Sequence, residues 1–347
     1  MLRLLHLGLV VLTTISYLAP VVDPTRFWPL ATLTILIPWL WLAVLLFGLF
    51  WFWQRKRTAW ISLATLVLGL DAMTRLWAVP NATGSSDGEA WRLATFNCHM
   101  FRDEATFKAL SPGDAANYLA GLDADVICLQ EYPDGRTADG YTTAIKSGAG
   151  LSHHFHDRDG NLAVFSRYPL SAAEVIYFAN RVNGYLRADI ATPSGPVRIF
   201  NAHLQTNAIT NMTAKVTTEG DLQERETWLT LKWMFGRYAR AAATRTEQAR
   251  QIRAEVEASP HPVVVCGDFN DVPTAYAYGV LRDGLLDAHL QRSWGMGSTY
   301  AGRVPGLRID YVLYSPPLQV QDFARPRDTY SDHRPVVAAL NRLRVGQ

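Results

Sequence analysis

From Leu4 to Val22, and again from Phe27 to Trp53, the chain carries no charged residue. The second run is long enough for ~40 Å of helix at about 1.5 Å per residue, more than a bilayer's hydrocarbon core. Trp28, Trp39, Trp41, Trp51 and Trp53 mark its ends and flanks, where amphipathic rings suit a membrane interface. A third apolar stretch, Thr58 to Pro80, is interrupted by Asp71 and Arg75, whose i, i+4 spacing lets them pair on one helix face. Residues 1–80 are therefore expected to form a membrane anchor of three transmembrane helices. Met1 to Val22 has an alternative as a cleaved signal peptide, with Arg3 as its basic start, but TTISYLAPVVDP offers no good small-x-small cleavage site.

Beyond Pro80 the pattern changes. Residues 81–90 begin with the polar stretch NATGSSDGE and read as a linker, and residues 91–347 read as a separate domain. Short runs rich in β-branched and aromatic residues recur there with polar stops after them: WRLATFNCH, ADVICLQEY, NLAVFSRYP, YLRADIAT, VRIFNAHLQT, PVVVCGDFN, RIDYVLYS and PVVAALN. Leu186, Ala188 and Ile190 alternate with Arg187 and Asp189, as in a half-buried strand, whereas VVVC reads as buried on both faces. Helices are expected at Ala115–Gly121, Tyr276–Arg282 and from about Gln223 to Ala258. The last has a bulky apolar first half, Trp228 to Phe235, which either covers a sheet or touches the bilayer. Strands alternating with helices and hairpins predict an α/β fold, with two sheets packed face to face and helices outside.

Charge sets the orientation. Gln54, Arg55, Lys56 and Arg57 form a tight basic link between the second and third apolar runs, and positive-inside bias places it in the cytoplasm. The large domain then lies on the extracytoplasmic, periplasmic side of a multi-pass inner or plasma membrane protein. The anchor holds six of the 33 Lys and Arg residues and two of the 31 Asp and Glu residues, so the large domain is nearly neutral. That speaks against a strongly basic nucleic-acid binder. Cys98, Cys128 and Cys266 all fall in apolar runs, without CxxC or HxxxH spacing, and read as small buried hydrophobes.

The strand ends carry the chemistry. Asn97 follows LATF, Glu131 follows VICLQ, Asn201 and His203 follow VRIF, Asp268 and Asn270 follow VVVCG, Asp310 follows RI, and Asp332 and His333 precede RPVV. One such ending is a turn, but six are more than turns explain, since aligned strand ends would gather these groups at one edge. Oxygen ligands from Asn97, Glu131 and Asp332 suit a hard cation such as Mg²⁺ or Mn²⁺. Asp268 could deprotonate an attacking water with Asn270 holding its geometry, and Asp310 could orient His333.

The ordered set FNCH, LQE, NAHL, GDFN, RIDYVL and SDHRPV resembles the endonuclease/exonuclease/phosphatase superfamily over about residues 91 to 343. The resemblance implies a DNase I-like, four-layered α/β sandwich with a divalent-metal phosphoesterase site between the sheets. It makes Asn97, Glu131 and Asp332 metal-site residues and His203 a phosphate-contacting histidine. It makes Asp268 the water-activating residue with Asn270 beside it, and Asp310 with His333 an Asp–His pair. Arg187 and Asn161 are candidate substrate contacts. His99 stands where many relatives have a small or acidic residue. His153, His154 and His156 read as loop histidines, and Asp271 as a turn former.

The expected function is a membrane-anchored hydrolase of a phosphodiester or phosphomonoester, with a lipid head group as substrate and no protein partner. Lipid is suggested by the short tether and the Trp228–Phe235 patch. An extracytoplasmic DNA or RNA nuclease is the alternative, suggested by Arg237, Arg240, Arg245, Arg250 and Arg253 on one helical segment. A non-catalytic phospholigand receptor would be expected to have lost one of Glu131, Asp268, Asn270, Asp310 or His333, and all five are present.

Overall fold

The computed structural model describes residues 1–80, 89–157, 161–179, 181–206, 225–302 and 306–343. The expected linker lies outside these residues apart from Glu89 and Ala90, as do Gln223 and Glu224 at the expected start of the long helix. The chain divides into two compact units: Met1–Trp77 with Thr206–Glu247 and Asp271–Val280, and Ala78–Gln205 with Gln248–Asn270 and Leu281–Gln347.

The first unit begins with helices α1 (Leu2–Ser16), α2 (Ile37–Trp53), α3 (Thr58–Leu68) and α4 (Leu70–Leu76), with a 3-10 helix over Trp28–Leu36 leading into α2. Among the described residues one helix, Trp28–Trp53, is long and apolar enough to cross a membrane, not the three expected. The 15 residues of α1 reach only about 22 Å. The third stretch breaks at Gly69 and bends by 53° between α3 and α4, so it makes a second span only if the bent pair counts as one. A Cβ at Gly69 would lie 2.3 Å from the Tyr17 ring, so this glycine permits the close approach of that side chain.

The second unit is built on two six-stranded sheets. In chain order its elements include β1 (Trp91–Asn97), α5 (Pro112–Ala120), β2 (Val126–Gln130), α6 (Gly135–Gly148), β3 (His153–His156), β4 (Leu162–Ser166), β5 (Leu170–Tyr177), β6 (Gly184–Thr192) and β7 (Gly195–His203). The long helix α7 (Arg225–Glu257), of which the part to Glu247 belongs to the first unit, is followed by β8 (Val263–Asp268), α8 (Tyr276–Arg282), which belongs to the first unit to Val280, β9 (Leu286–Asp287), α9 (Ala288–Arg292), β10 (Asp310–Tyr314), β11 (Leu318–Ala324) and β12 (Val336–Arg342). The strand orders are β11-β12-β1-β2-β4-β3 and β5-β6-β7-β8-β10-β9. Among the described residues only β1–β2 and β7–β8 pair in parallel; both are central, and both leave their C-terminal ends at the same edge of their own sheet.

Between the sheets lies a continuous apolar core, with Leu93, Cys128 and Val164 on one side and Leu186, Ile199 and Cys266 on the other. The alternate residues Phe96, Ile127 and Phe165 turn outward against Ala116 and Leu119 of α5 and Ile145 of α6. On the second sheet Glu255, in the last turns of α7, pairs with Arg187. The layers are thus helix, sheet, sheet and helix, as the residue pattern predicts. All three cysteines are buried and free. The histidines 153–156 form an edge strand rather than a loop, because their backbone completes the ladder of β4.

Candidate active site

Strand register assembles the site. Parallel pairing sets His203 of β7 beside Asp268 of β8, and antiparallel pairing sets Asp268 beside Asp310 of β10. Three neighbouring strands of one sheet therefore carry His203, Asp268 and Asp310 in a row. In the other sheet Asn97 ends β1 opposite Gln130, and Glu131 follows at once. Glu131 has a φ of +52°, which turns the chain sharply out of the strand. The next residue, Tyr132, donates its backbone N–H to the Asn161 carbonyl at 3.0 Å, which holds Asn161 at this edge.

The Asn97 amide links the sheets. Its Nδ2 donates to Glu131 Oε1 at 2.9 Å and to Asp268 Oδ2 at 3.1 Å, while its Oδ1 accepts from the His99 N–H at 3.1 Å. Asp268 also accepts from the Asn270 N–H at 2.8 Å and Asn270 Nδ2 at 3.1 Å. His203 Nε2 and His333 Nε2 stand 3.8 and 3.7 Å from Asp268 Oδ2. His333 Nδ1 bonds both oxygens of Asp310, at 3.0 and 3.1 Å. Asp332 lies 4.0 Å from His333 Nε2 and is a quarter exposed.

The glycine of GDFN has a steric reason. Gly267 has a φ of +128°, and a Cβ there would come 2.0 Å from the Ala202 carbonyl oxygen on β7. The strand pair that sets Asp268 beside His203 requires glycine at that position.

Burial and charge tune the groups. Burial pushes the Asp268 carboxyl up to about 6, His333 and His203 pull it down, and Asp310 adds to the rise. Burial by itself would lower His333, but Asp310, Asp268 and Asp332 outweigh it and raise the imidazole well above its ordinary range. For Glu131, burial favours the neutral form, yet His203, the Asn97 amide, His333 and His99 hold it below the usual carboxylate range.

These donors fit a divalent cation. Glu131 is held ionised and a third exposed, and Asp332 offers a second partly open carboxylate. His99, Glu104 and Asp332 offer ligand atoms within 4.8 Å of one another, and His99 Nδ1 is buried without a hydrogen-bond partner. An oxygen-rich set with one imidazole suits Mg²⁺ or Mn²⁺.

Arg187 is not brought to this cluster. Leu186 and Ala188 face the core, so Arg187 points to the sheet's other side, where it pairs with Glu174 at 3.0 Å and Glu255 at 2.5 Å. Asn201 is fully buried and ties the sheets, donating to the Leu129 and Ala163 carbonyls. The arginine track of α7 also dissolves. Arg245 is buried on Asp271 at 2.8 Å, Arg253 pairs with Glu257 at 2.9 Å and the Asp283 carbonyl, and Arg237 and Arg240 are exposed. Asp271 is accordingly a buried ion-pair partner and not a turn former.

Three supporting residues escaped sequence reasoning. Ser331 Oγ donates to the Asn97 carbonyl at 2.9 Å and accepts from the His333 N–H at 3.1 Å, joining the SDH loop to β1. Thr299 Oγ1 accepts from the N–H groups of Ile309 and Asp310. Glu104 stands 3.6 Å from His99 Nδ1. Ser331 adjoins a recognised motif and could have been suspected; Thr299 and Glu104 carry no local signal.

Residues 94–333 match the Endonuclease/Exonuclease/phosphatase family, and residues 1–76 match a domain of unknown function. No curated protein matches the chain. Its fold is similar to the endonuclease/exonuclease/phosphatase from Beutenbergia cavernae DSM 12333, at 20% identity over 73% of this chain and 72% of that one, with a TM-score of 0.52. It is also similar to the endonuclease/exonuclease/phosphatase from Bacteroides vulgatus, at 17% identity, 73% and 99% coverage and a TM-score of 0.51. A humanized TDP2 of D. rerio carrying 14 mutations aligns at 18% identity, 73% and 99% coverage and a TM-score of 0.50. With 240 of its residues matched, the chain belongs to the endonuclease/exonuclease/phosphatase family, whose members are metal-dependent hydrolases of phosphoesters.

Proposed function

We propose that this chain is a membrane-anchored phosphoesterase in which Asp268 takes the proton from the attacking water. The observation that carries this reading is the Asn97 bridge, which brings Glu131 of one sheet to the buried Asp268, itself flanked by His203 and Asp310. Asn270 clamps both Asp268 oxygens and so aims the carboxylate. As the water oxygen bonds to phosphorus, its proton passes to Asp268 and the bond from phosphorus to the leaving oxygen breaks. His333, kept cationic by Asp310, and His203 offer N–H groups to the phosphoryl oxygens as their charge grows. Asn97, Glu131 and Asp332 would hold the divalent ion, with His99 and Glu104 at its margin. When bound, the ion neutralises phosphate charge and stabilises the transition state.

The anchor is Trp28–Trp53, supplemented by the bent pair α3–α4. The exposed Arg55–Lys56–Arg57 link between α2 and α3 supports a cytoplasmic position for that end and an extracytoplasmic catalytic unit. The substrate is a lipid head group: the catalytic unit is nearly neutral, and Arg245 and Arg253 of α7 are paired, so the exposed part of that track is Arg237 and Arg240, too short to follow a nucleic-acid backbone. The test uses the full chain in detergent micelles with a bis-phosphodiester, phospholipid vesicles and plasmid DNA, each with Mg²⁺, Mn²⁺ or EDTA. Metal-dependent turnover lost in Asp268→Asn is expected. An active Asp268→Asn enzyme ends the mechanism, and cleavage of plasmid but not lipid ends the substrate assignment.

A further inference from the structure

Helix α7 has a solvent-exposed aromatic stretch near its start. At about 100° per residue, Met234, Tyr238, Ala242 and Arg245 fall on one side, and all four are buried. Leu229 and Trp233 fall on the opposite side and Trp228 and Phe235 on the flank between, and the four are 45, 65, 59 and 43% exposed. Lys232, Arg237 and Arg240 are exposed among and beside them. Two tryptophans, a leucine and a phenylalanine exposed within about two turns of one helix are more than scattered surface apolar residues.

The first unit itself says where this stretch lies. Tyr238 Oη bonds Asp271 Oδ1 at 2.6 Å and Thr34 Oγ1 at 2.8 Å, and Thr274 Oγ1 donates to the Thr34 carbonyl at 2.9 Å. Arg245 Nε holds the other oxygen of Asp271 at 2.8 Å, and Arg245, Asp271, Tyr238 and Thr34 are all buried. Breaking such a buried charged network leaves uncompensated groups, so the fastening is firm. Thr34 lies inside the apolar run Trp28–Trp53, six residues past the exposed Trp28. Trp233 and Trp228 follow at about 8 and 15 Å along the helix from Tyr238, at about 1.5 Å per residue. The exposed residues therefore lie within about three helical turns of the point where α7 is fastened to the segment by which the chain meets the membrane.

We infer that this stretch of α7 is seated in the headgroup and acyl boundary of the same bilayer that Trp28–Trp53 crosses. The rings and Leu229 enter the apolar margin, and Lys232, Arg237 and Arg240 meet lipid phosphates, the division that interfacial helices use. The polar cluster around Thr34 then makes anchor and interfacial helix one device: the span fixes depth, and α7 fixes rotation about it. This inference rests on the proposed membrane anchoring and names a second, separate membrane contact.

The experiment places a fluorophore on single cysteines of the full chain in phosphatidylcholine–phosphatidylglycerol vesicles. The sites are Leu46→Cys on α2, Trp233→Cys and Trp228→Cys in the exposed stretch, and Thr244→Cys two turns or more beyond it. The native cysteines are buried, and unlabelled wild type is the control. Quenching of the Leu46, Trp228 and Trp233 labels by lipid nitroxides, at least twofold more than the Thr244 label, supports the inference. If the Leu46 label alone is quenched by lipid while iodide reaches Trp228 and Trp233 as freely as Thr244, the stretch is in water and the inference fails with anchoring intact. If iodide also reaches Leu46, the anchoring reading itself fails. Labels at 228 and 233 shielded from both quenchers indicate a second copy of the chain on this stretch and overturn the lipid assignment.

Discussion

Asp268 is a carboxylate placed where water is scarce and proton acceptors are few. It is 1% exposed, and the hydrogen bonds from Asn270 and Asn97 fix its rotamer, so its replacement by an isosteric amide keeps the packing and removes the acceptor. Asp268→Asn is expected to lower kcat by about 10²–10⁴-fold with an unchanged circular-dichroism spectrum. Asp310 serves a different end, since it is the charge that keeps His333 protonated while buried. Asp310→Ala should cost stability as well as rate, about 3–5 kcal/mol in urea unfolding, because it leaves a buried imidazolium without its partner. Away from the site, His289 is 1% exposed with Nε2 at 3.0 Å from the Gly295 carbonyl, and burial and Arg308 lower it to about 4. The unfolded chain binds this proton near pH 6.5 and the folded chain only near 4. The neutral side chain's contribution is therefore complete above pH 6.5 and is lost as pH falls through that window. His289→Gln should flatten the fall of Tm between pH 6.5 and 4; an unchanged slope would contradict the assignment.

At the scale of elements, the site depends on register more than on any loop. The β7–β8 ladder runs with Ala202 against Gly267, and the next pair is His203 against Asp268. Gly267→Ala adds a methyl group 2.0 Å from the Ala202 carbonyl at a φ of +128°, so the strands must part. A loss of about 2–4 kcal/mol and of most activity is expected, measured by thermal melting beside the assay. Gly113, by contrast, starts α5 with its nearest neighbour 3.9 Å away, and its alanine variant should leave Tm within about 3 °C.

For the whole molecule, the prediction concerns metal. Glu131, Asp332, Asp268 and Asp310 bring four carboxylates to one region, partly compensated by His203 and His333. A bound divalent ion relieves their repulsion in the folded state and is absent from the unfolded one. EDTA should therefore abolish turnover and lower Tm, and millimolar Mg²⁺ or Mn²⁺ should restore both. Calorimetry on Glu131→Gln should show the Tm response to metal weakened while the metal-free Tm stays near wild type.

What the residues alone determined was mainly local. Charge-free runs marked the apolar helix, β-branched runs marked the strands, and the ordered strand-end motifs marked the family and the cluster Asn97, Glu131, His203, Asp268, Asp310 and His333. Periodicity also showed that Arg187 alternates with core residues, but which face carries the chemistry is decided by the sheet it joins, and there Arg187 meets Glu174 and Glu255. Helix length is a tertiary outcome too: a largely apolar run can still break, as at Gly69, where the chain bends by 53° and the Tyr17 ring packs closely. Asp271, Ser331 and Thr299 have ordinary neighbours in sequence and acquire their roles from partners 26, 234 and 11 residues away. Hydrophobic pattern encodes what a segment buries, whereas the partner of a polar side chain is fixed only when distant segments meet.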